Sequence, residues 1–289
     1  MKLLNLNVLV LSFIALLFAS CDKFNSDNPL IPDAEGKISA IEISSPSKSK
    51  TKVGFNDLGA GEGKGMELKW EENDIITIYT KAGYRVSNFI CTEVDKRTQN
   101  AIFQAQGEKI YTENNYIAVY PASDAATLAD RNASIENTLR NQEQSGDGLV
   151  HLDDYLFMKS EFEATKDTFI DFTYEVSTFV LTFEWEESTM PTSVMLEDDG
   201  KSFKLTKTTG GFSIDNSTKE GKAYFMVLPN NSTSARLMTF KVSNTSSEIV
   251  ASATVNFAYA AGKTFRVTID PLGITFYDSV SGPSIIPWE

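Results

Sequence analysis

Short β-branched and aromatic runs, each four to nine residues long and closed by turn residues, recur along this chain at 38–43, 75–80, 87–92, 115–120, 179–184, 193–196, 223–228, 238–242, 249–257 and 263–269. In the last of these, Phe265, Val267 and Ile269 fall on one face and Thr264, Arg266 and Thr268 on the other, the period-two signature of a half-buried strand. Asn73-Asp74, Asp199-Gly200, Gly210-Gly211 and Pro229-Asn230 punctuate the runs with turn chemistry. No segment carries a long helical period, so the pattern predicts an all-β fold, a sandwich or barrel rather than βαβ units. The stretch 122–148 is polar and rich in Asn, Asp, Gln and Ser, and reads as an exposed excursion of the first domain.

The N-terminus carries a different signal. Lys2, an apolar run over 8–19 and the sequence Leu17-Phe18-Ala19-Ser20-Cys21 make a bacterial lipoprotein signal, too short to span a bilayer unaided, with cleavage expected before Cys21. Cys21 is then the lipidated first residue of the mature chain and ties the precursor to the outer membrane at the cell surface. Residues 21–36, polar and proline-containing, read as a tether. About 270 residues remain after the signal, enough for two domains, expected at 37–165 and 166–289.

Composition excludes several classes. Loss of Lys2 moves the formal charge from -13 to -14, with 25 basic groups against 39 acidic ones, which argues against nucleic acid or an anionic lipid surface as partner. Cys91 has no cysteine left to pair with and reads as a buried strand thiol. The single histidine, His151, reads as packing or surface, which leaves no Ser-His-Asp, Cys-His or multi-histidine metal site. Gly59–Gly65 imitates a phosphate loop but has Leu58 where the first glycine belongs and Gly65 in place of Ser or Thr, so it reads as a hairpin tip. Glu71-Glu72-Asn73-Asp74, Asp153-Asp154 and Glu197-Asp198-Asp199-Gly200 lack calcium-loop spacing and read as solvated turn carboxylates. No catalytic residue, metal ligand or cofactor is assigned.

The order of segments resembles the fimbrillin family of Bacteroidales, the lipoprotein-derived subunits of type V pili. The resemblance runs through Trp70-Glu71-Glu72-Asn73-Asp74-Ile75-Ile76-Thr77-Ile78-Tyr79, Tyr116-Ile117-Ala118-Val119-Tyr120-Pro121, Gln142, Gly146-Asp147-Gly148 and Asp154-Tyr155-Leu156-Phe157-Met158-Lys159-Ser160. It continues in Phe172–Phe183, Ala261–Ile269 and the closing Ile286-Pro287-Trp288-Glu289. It implies two transthyretin-like β-sandwich domains in tandem and assembly with other fimbrial subunits, like or unlike, by strand exchange. A trypsin-like protease removes the first strand, and a neighbour's C-terminal segment fills the groove. Carried onto this sequence, the removable strand is the one holding Ile38, Ile41 and Ile43. The donor is the tail 272–289, with Ile274, Phe276, Val280, Ile285, Ile286 and Trp288 as its apolar residues. No arginine lies between Cys21 and Arg85, so Lys48, Lys50 and Lys52 are the candidate cleavage points.

Other readings stay open at this level. The tail also reads as a last strand on its own domain, with Pro283 and Pro287 removing two donors. The chain also fits an uncut anchor or accessory subunit, or a surface glycan-binding lipoprotein, which would need coplanar exposed rings among residues such as Trp70, Trp185 and Trp288. The receptor that a fibre of such subunits would bind is not specified by any motif.

Overall fold

The computed structural model describes residues 32–44, 56–57, 66–67, 70–98, 100–144, 150–165, 168–185, 190–207, 211–212, 219–229, 235–259, 261–269, 275–277 and 284–287. Among them the fold is all-β with one α-helix. The runs 75–80, 115–120, 249–257 and 263–269 are strands with the bounds expected from sequence, and 87–92, 179–184, 193–196 and 238–242 lie within longer strands, whereas 38–43 is split into Lys37–Ile38 and Ala40–Ile43 and 223–228 overlaps the end of Glu220–Val227.

The first sheet has eight strands in the order Phe169–Ile170, Ala40–Ile43, Ala101–Ala105, Arg85–Val94, Ile75–Thr80, Asn115–Tyr120, Met158–Glu163 and Thr173–Tyr174. Pairing is antiparallel except at the outermost step, where Phe169–Ile170 runs parallel to Ala40–Ile43. Its central strands are covered on both faces. Ile76 and Ile78 join the main core, while Tyr79, Ile117 and Val119 form a separate small cluster against Leu128. The Tyr79 hydroxyl donates to the Ala125 carbonyl at 3.0 Å, so the segment leading into the helix lies over this reverse face.

That segment corrects the reading of 122–148 as an exposed excursion. Leu128–Arg140 is a helix, capped by the Thr127 hydroxyl, which accepts from the Asp130 amide at 3.2 Å, and Asn141–Gln144 is a strand. Its buried stripe is Arg131, Ile135 and Leu139, spaced four apart. An arginine holding the first place of the stripe conceals the helical period from any count of apolar residues.

Two five-stranded sheets follow. One runs Asn141–Gln144, Lys201–Lys207, Pro191–Asp198, Arg236–Asn244, Ile249–Phe257; the other contains Glu220–Val227, Ser177–Glu184 and Lys263–Ile269, with Thr275–Tyr277 and Ser284–Pro287 both on the last of these. They meet through aromatic side chains. Phe179 stacks on Phe265 at 5.2 Å and Phe225 at 5.7 Å in its own sheet, and meets Phe240 of the other sheet at 5.7 Å.

Strand pairing interleaves over residues 141–174. Asn141–Gln144 leaves the first stretch of chain to pair in parallel with Lys204–Lys207, while Phe169–Ile170 and Thr173–Tyr174 return to the first sheet. Gln142 fixes the crossing: its amide oxygen accepts from Met226 N at 3.0 Å and its Nε2 donates to the carbonyls of Met226 (2.5 Å) and Leu139 (2.9 Å).

Candidate functional site

The sequence directs attention to the first strand and to the tail. The first strand begins with a side-chain-built turn, in which Asp33 Oδ1 accepts the amides of Glu35 (3.0 Å) and Lys37 (2.9 Å). These bonds, that to Lys37 foremost, hold the Asp33 carboxyl below its ordinary range. Lys37–Ile38 pairs with Ile110–Tyr111, the chain breaks step at Ser39, and Ala40–Ile43 pairs antiparallel with Ala101–Gln104. Ile38, Ile41 and Ile43 are at most 1% exposed. Burial of this kind stabilises by about 1.5–3 kcal/mol per side chain.

Only two residues cover the outer edge of this strand among the described residues: Phe169 opposite Glu42 and Ile170 opposite Ile43. Ser44 closes it. The Ser44 amide and hydroxyl both donate to the Ile170 carbonyl, at 2.9 and 3.2 Å, and the Ser44 carbonyl accepts from the Trp70 indole Nε1 at 2.8 Å. Trp70 is itself buried, edge-on to Phe103 (5.2 Å), Tyr120 (5.3 Å) and Phe172 (5.6 Å). The strand is thus a short apolar insert, one two-residue strand from the sheet edge, with a fixed polar contact at its end.

The described parts of the tail lie end to end on one strand. Thr275–Tyr277 pairs antiparallel with Val267–Ile269, placing Phe276 opposite Thr268. Ser284–Pro287 pairs with Lys263–Arg266, placing Ile285 opposite Phe265 and Ile286 opposite Thr264. Ile274, Val280 and Trp288 lie outside the described residues, as do Cys21, the lysines at Lys48, Lys50 and Lys52, and Gly59–Gly65. Asn56–Asp57 and Met66–Glu67, which flank the glycine-rich stretch, pair antiparallel.

The remaining sequence candidates are structural. Cys91 is buried, with its thiol pushed up to about 12 by burial and then by the neighbouring Asp74 charge, which leaves almost no reactive thiolate. His151 sits in the 3₁₀ turn Val150–Tyr155 with Nε2 2.9 Å from the Tyr224 carbonyl. In two of the acidic clusters one carboxylate departs from the solvated turn expected, while Glu71, Glu72 and Asp199 stay exposed. Asp74 accepts the Glu71 amide at 2.7 Å and the Tyr120 hydroxyl at 3.3 Å, and burial raises its carboxyl to about 6. Asp198 is 3% exposed, accepting from the Tyr259 hydroxyl at 2.9 Å and Arg236 at 3.3 Å. Among the described residues no group of three or more His, Cys, Asp or Glu could hold a metal ion. Trp70 and Trp185 are buried and offer no ring to a sugar. Among the described residues the exposed rings, Tyr84, Tyr111 and Phe169, stand on separate elements, and Lys37 Nζ lies over Tyr111 at 5.7 Å.

The contacts that sequence reasoning missed are those across the chain: the Trp70–Ser44 bond, the Ile170 cover and the bonds from the Arg131 guanidinium to Glu175 and to the carbonyls of Tyr120 and Met158. Trp70 stood out in the sequence as the opening of a motif, yet nothing local names its acceptor 26 residues upstream.

No protein-family model matches the chain, and no curated protein matches it. Among solved structures the chain is similar to a putative cell adhesion protein from Bacteroides uniformis, at 18% identity and TM-score 0.46, over 89% of this chain and 99% of that one. It is also similar to a fimbrial assembly protein from Parabacteroides distasonis, at 12% identity and TM-score 0.37, over 79% and 89%. A third is the tip fimbrial protein Mfa3 from Porphyromonas gingivalis, at 8% identity and TM-score 0.34, over 80% and 93%.

Proposed function

We propose that this chain is a non-enzymatic structural subunit of a cell-surface fimbria, contributing to adhesion and joined to its neighbours by strand exchange. The observation that carries the reading is the first strand. It is apolar and fully buried at Ile38, Ile41 and Ile43, yet flanked by a two-residue strand and followed in sequence by Lys48, Lys50 and Lys52. Cutting at one of those lysines would free the strand from the rest of the chain. Its departure would leave an apolar groove and a row of unpaired backbone groups, which an extended segment with alternating side chains can fill. The tail 272–289 supplies such a segment from a neighbouring copy, and lipid on Cys21 would hold the precursor at the outer membrane until it is cut.

A second reading, an uncut anchor or accessory subunit, is favoured by the lack of any arginine between Cys21 and Arg85. Intact mass and N-terminal sequence of the protein from its native envelope separate the two. A start at Ser49, Thr51 or Val53 supports exchange, whereas acylated Cys21 in assembled fibres overturns cleavage as its trigger.

A further inference from the structure

A fibre joined by strand exchange passes tension from subunit to subunit, and strand order decides which bonds bear it. Pull reaches a subunit at the first-strand groove, where a neighbour's tail is held, and leaves along its own tail, which follows Ile269. The groove's outer rim is Phe169–Ile170, and residues 171–176 lead from it to Ser177. That link is fastened to the first sheet on the way. Thr173–Tyr174 pairs with Met158–Lys159, the Glu175 amide donates to the Phe157 carbonyl at 2.8 Å, and the Glu175 carboxylate accepts from Arg131. Tension therefore enters Ser177–Glu184 at its N-terminal end.

Lys263–Ile269, from which the tail departs, pairs in parallel with Ser177–Glu184, from Thr178 opposite Thr264 to Phe183 opposite Ile269. Once the tail is donated, Ser177–Glu184 is its only paired strand among the described residues. One strand is thus pulled by its N-terminal end and its parallel neighbour by its C-terminal end, and these points lie at opposite ends of the ladder. The evenly spaced bonds of a parallel pair then share the load and slide only if they give way together. An antiparallel neighbour would place both points at the same end, where bonds break one at a time.

We propose that Ser177–Glu184 and Lys263–Ile269 form a shear clamp that carries tension through the assembled subunit. This role rests on the strand-exchange reading above, which sets where force is applied.

The packing suits such a role. Thr178, Phe179, Thr264, Phe265 and Val267 are at most 1% exposed, so the ladder lies in the low-dielectric interior, where its bonds are stronger than in water. Phe179 stacks on Phe265, directly opposite it, at 5.2 Å. The Gly262 amide donates to the Val176 carbonyl at 2.9 Å and ties the two strands together at the end where tension enters.

The direction of pull tests the clamp on the full mature chain, with C21S in the background and Cys91 left in place because it is buried. D171C/D270C puts handles at opposite ends of the paired strands, and E184C/D270C puts both at the same end. Asp171 and Glu184 are exposed, so cysteine there removes no buried contact. The tail stays on Lys263–Ile269 in both variants and moves with it. At one pulling speed the force that parts the two strands is expected to be at least about twofold higher for D171C/D270C, since forced unfolding is governed by the unfolding barrier, here the barrier along the direction pulled. Equal forces, or a higher force for E184C/D270C, would overturn the clamp even where trypsin-cut chains polymerise. Cut chains that fail to polymerise would overturn the strand-exchange reading instead, and with it the tension that the clamp has to carry.

Discussion

The Arg131 guanidinium pairs with the Glu175 carboxylate across 44 residues of sequence, at a point where the arginine side chain is 3% exposed. Its second amino group donates to the carbonyls of Tyr120 (3.2 Å) and Met158 (3.4 Å), and the group lies over the Phe157 ring at 5.7 Å. One side chain thereby ties the helix Leu128–Arg140 to the ends of two strands of the first sheet and to Glu175, two residues before Ser177–Glu184 of another sheet. Arg131→Ala is expected to cost about 3–5 kcal/mol, because it leaves a half-buried carboxylate and two strand-end carbonyls without their donor. Urea unfolding followed by circular dichroism measures this, and a loss below 1 kcal/mol would show the cluster to be incidental.

The same residue marks the limit of what sequence alone could yield. Strands were legible wherever apolar residues alternate in short runs: Ile75–Thr80 and Lys263–Ile269 have the expected bounds. The helix was not, since its buried stripe opens with a charge whose partners, Tyr120, Met158 and Glu175, are close only after folding. The first strand could be picked out from its isoleucines, but its edge cover could not. Phe169–Ile170 is two residues long, too short for any pattern to register, and pairs with Glu42–Ile43, far away in the sequence. Asp74 and Asp198 were legible as turn residues and illegible as a half-buried and a buried group, because Tyr120 and Tyr259, which meet their carboxylates, lie 46 and 61 positions away.

Asp74 makes stability fall with rising pH over a defined window. Its folded carboxyl, raised by burial to about 6, binds a proton more tightly than the unfolded one, so between pH 4 and about 6 the native state holds more protons. Its contribution is therefore fully present below pH 4 and is lost as pH rises through 6, by about 1–3 kcal/mol. Asp74→Asn, which keeps an oxygen for the Glu71 amide, should flatten this part of the profile. Urea midpoints at half-unit pH steps would show it, and parallel profiles for the two proteins would remove Asp74 as the cause.

Gly262 holds the turn before Lys263–Ile269 at φ +69°, and a Cβ there would stand 3.1 Å from Tyr174 Cδ2. Gly262→Ala combines a left-handed backbone with a tight ring contact and is expected to cost about 1–2 kcal/mol. The strand it precedes carries both described tail segments. Hydrogen exchange should therefore quicken along Lys263–Ile269 in the variant more than in the first sheet, and a uniform change would mean that the turn acts on global stability alone.

Ile41 separates the precursor from the exchanged state. In the uncut chain it is fully buried opposite Phe103, so Ile41→Ala leaves a cavity under the first strand and should cost about 2–5 kcal/mol. Once the first strand has been replaced by another segment, residue 41 is gone and the substitution can have no effect on the assembled subunit. The variant should thus unfold more readily as a precursor, release its first strand faster after trypsin cleavage, and yield polymers with the thermal stability of the unaltered protein. Thermal scans of precursor and polymer side by side test this. Polymers destabilised to the same degree as the precursor would mean that the first strand stays in place, and would return the chain to the uncut reading.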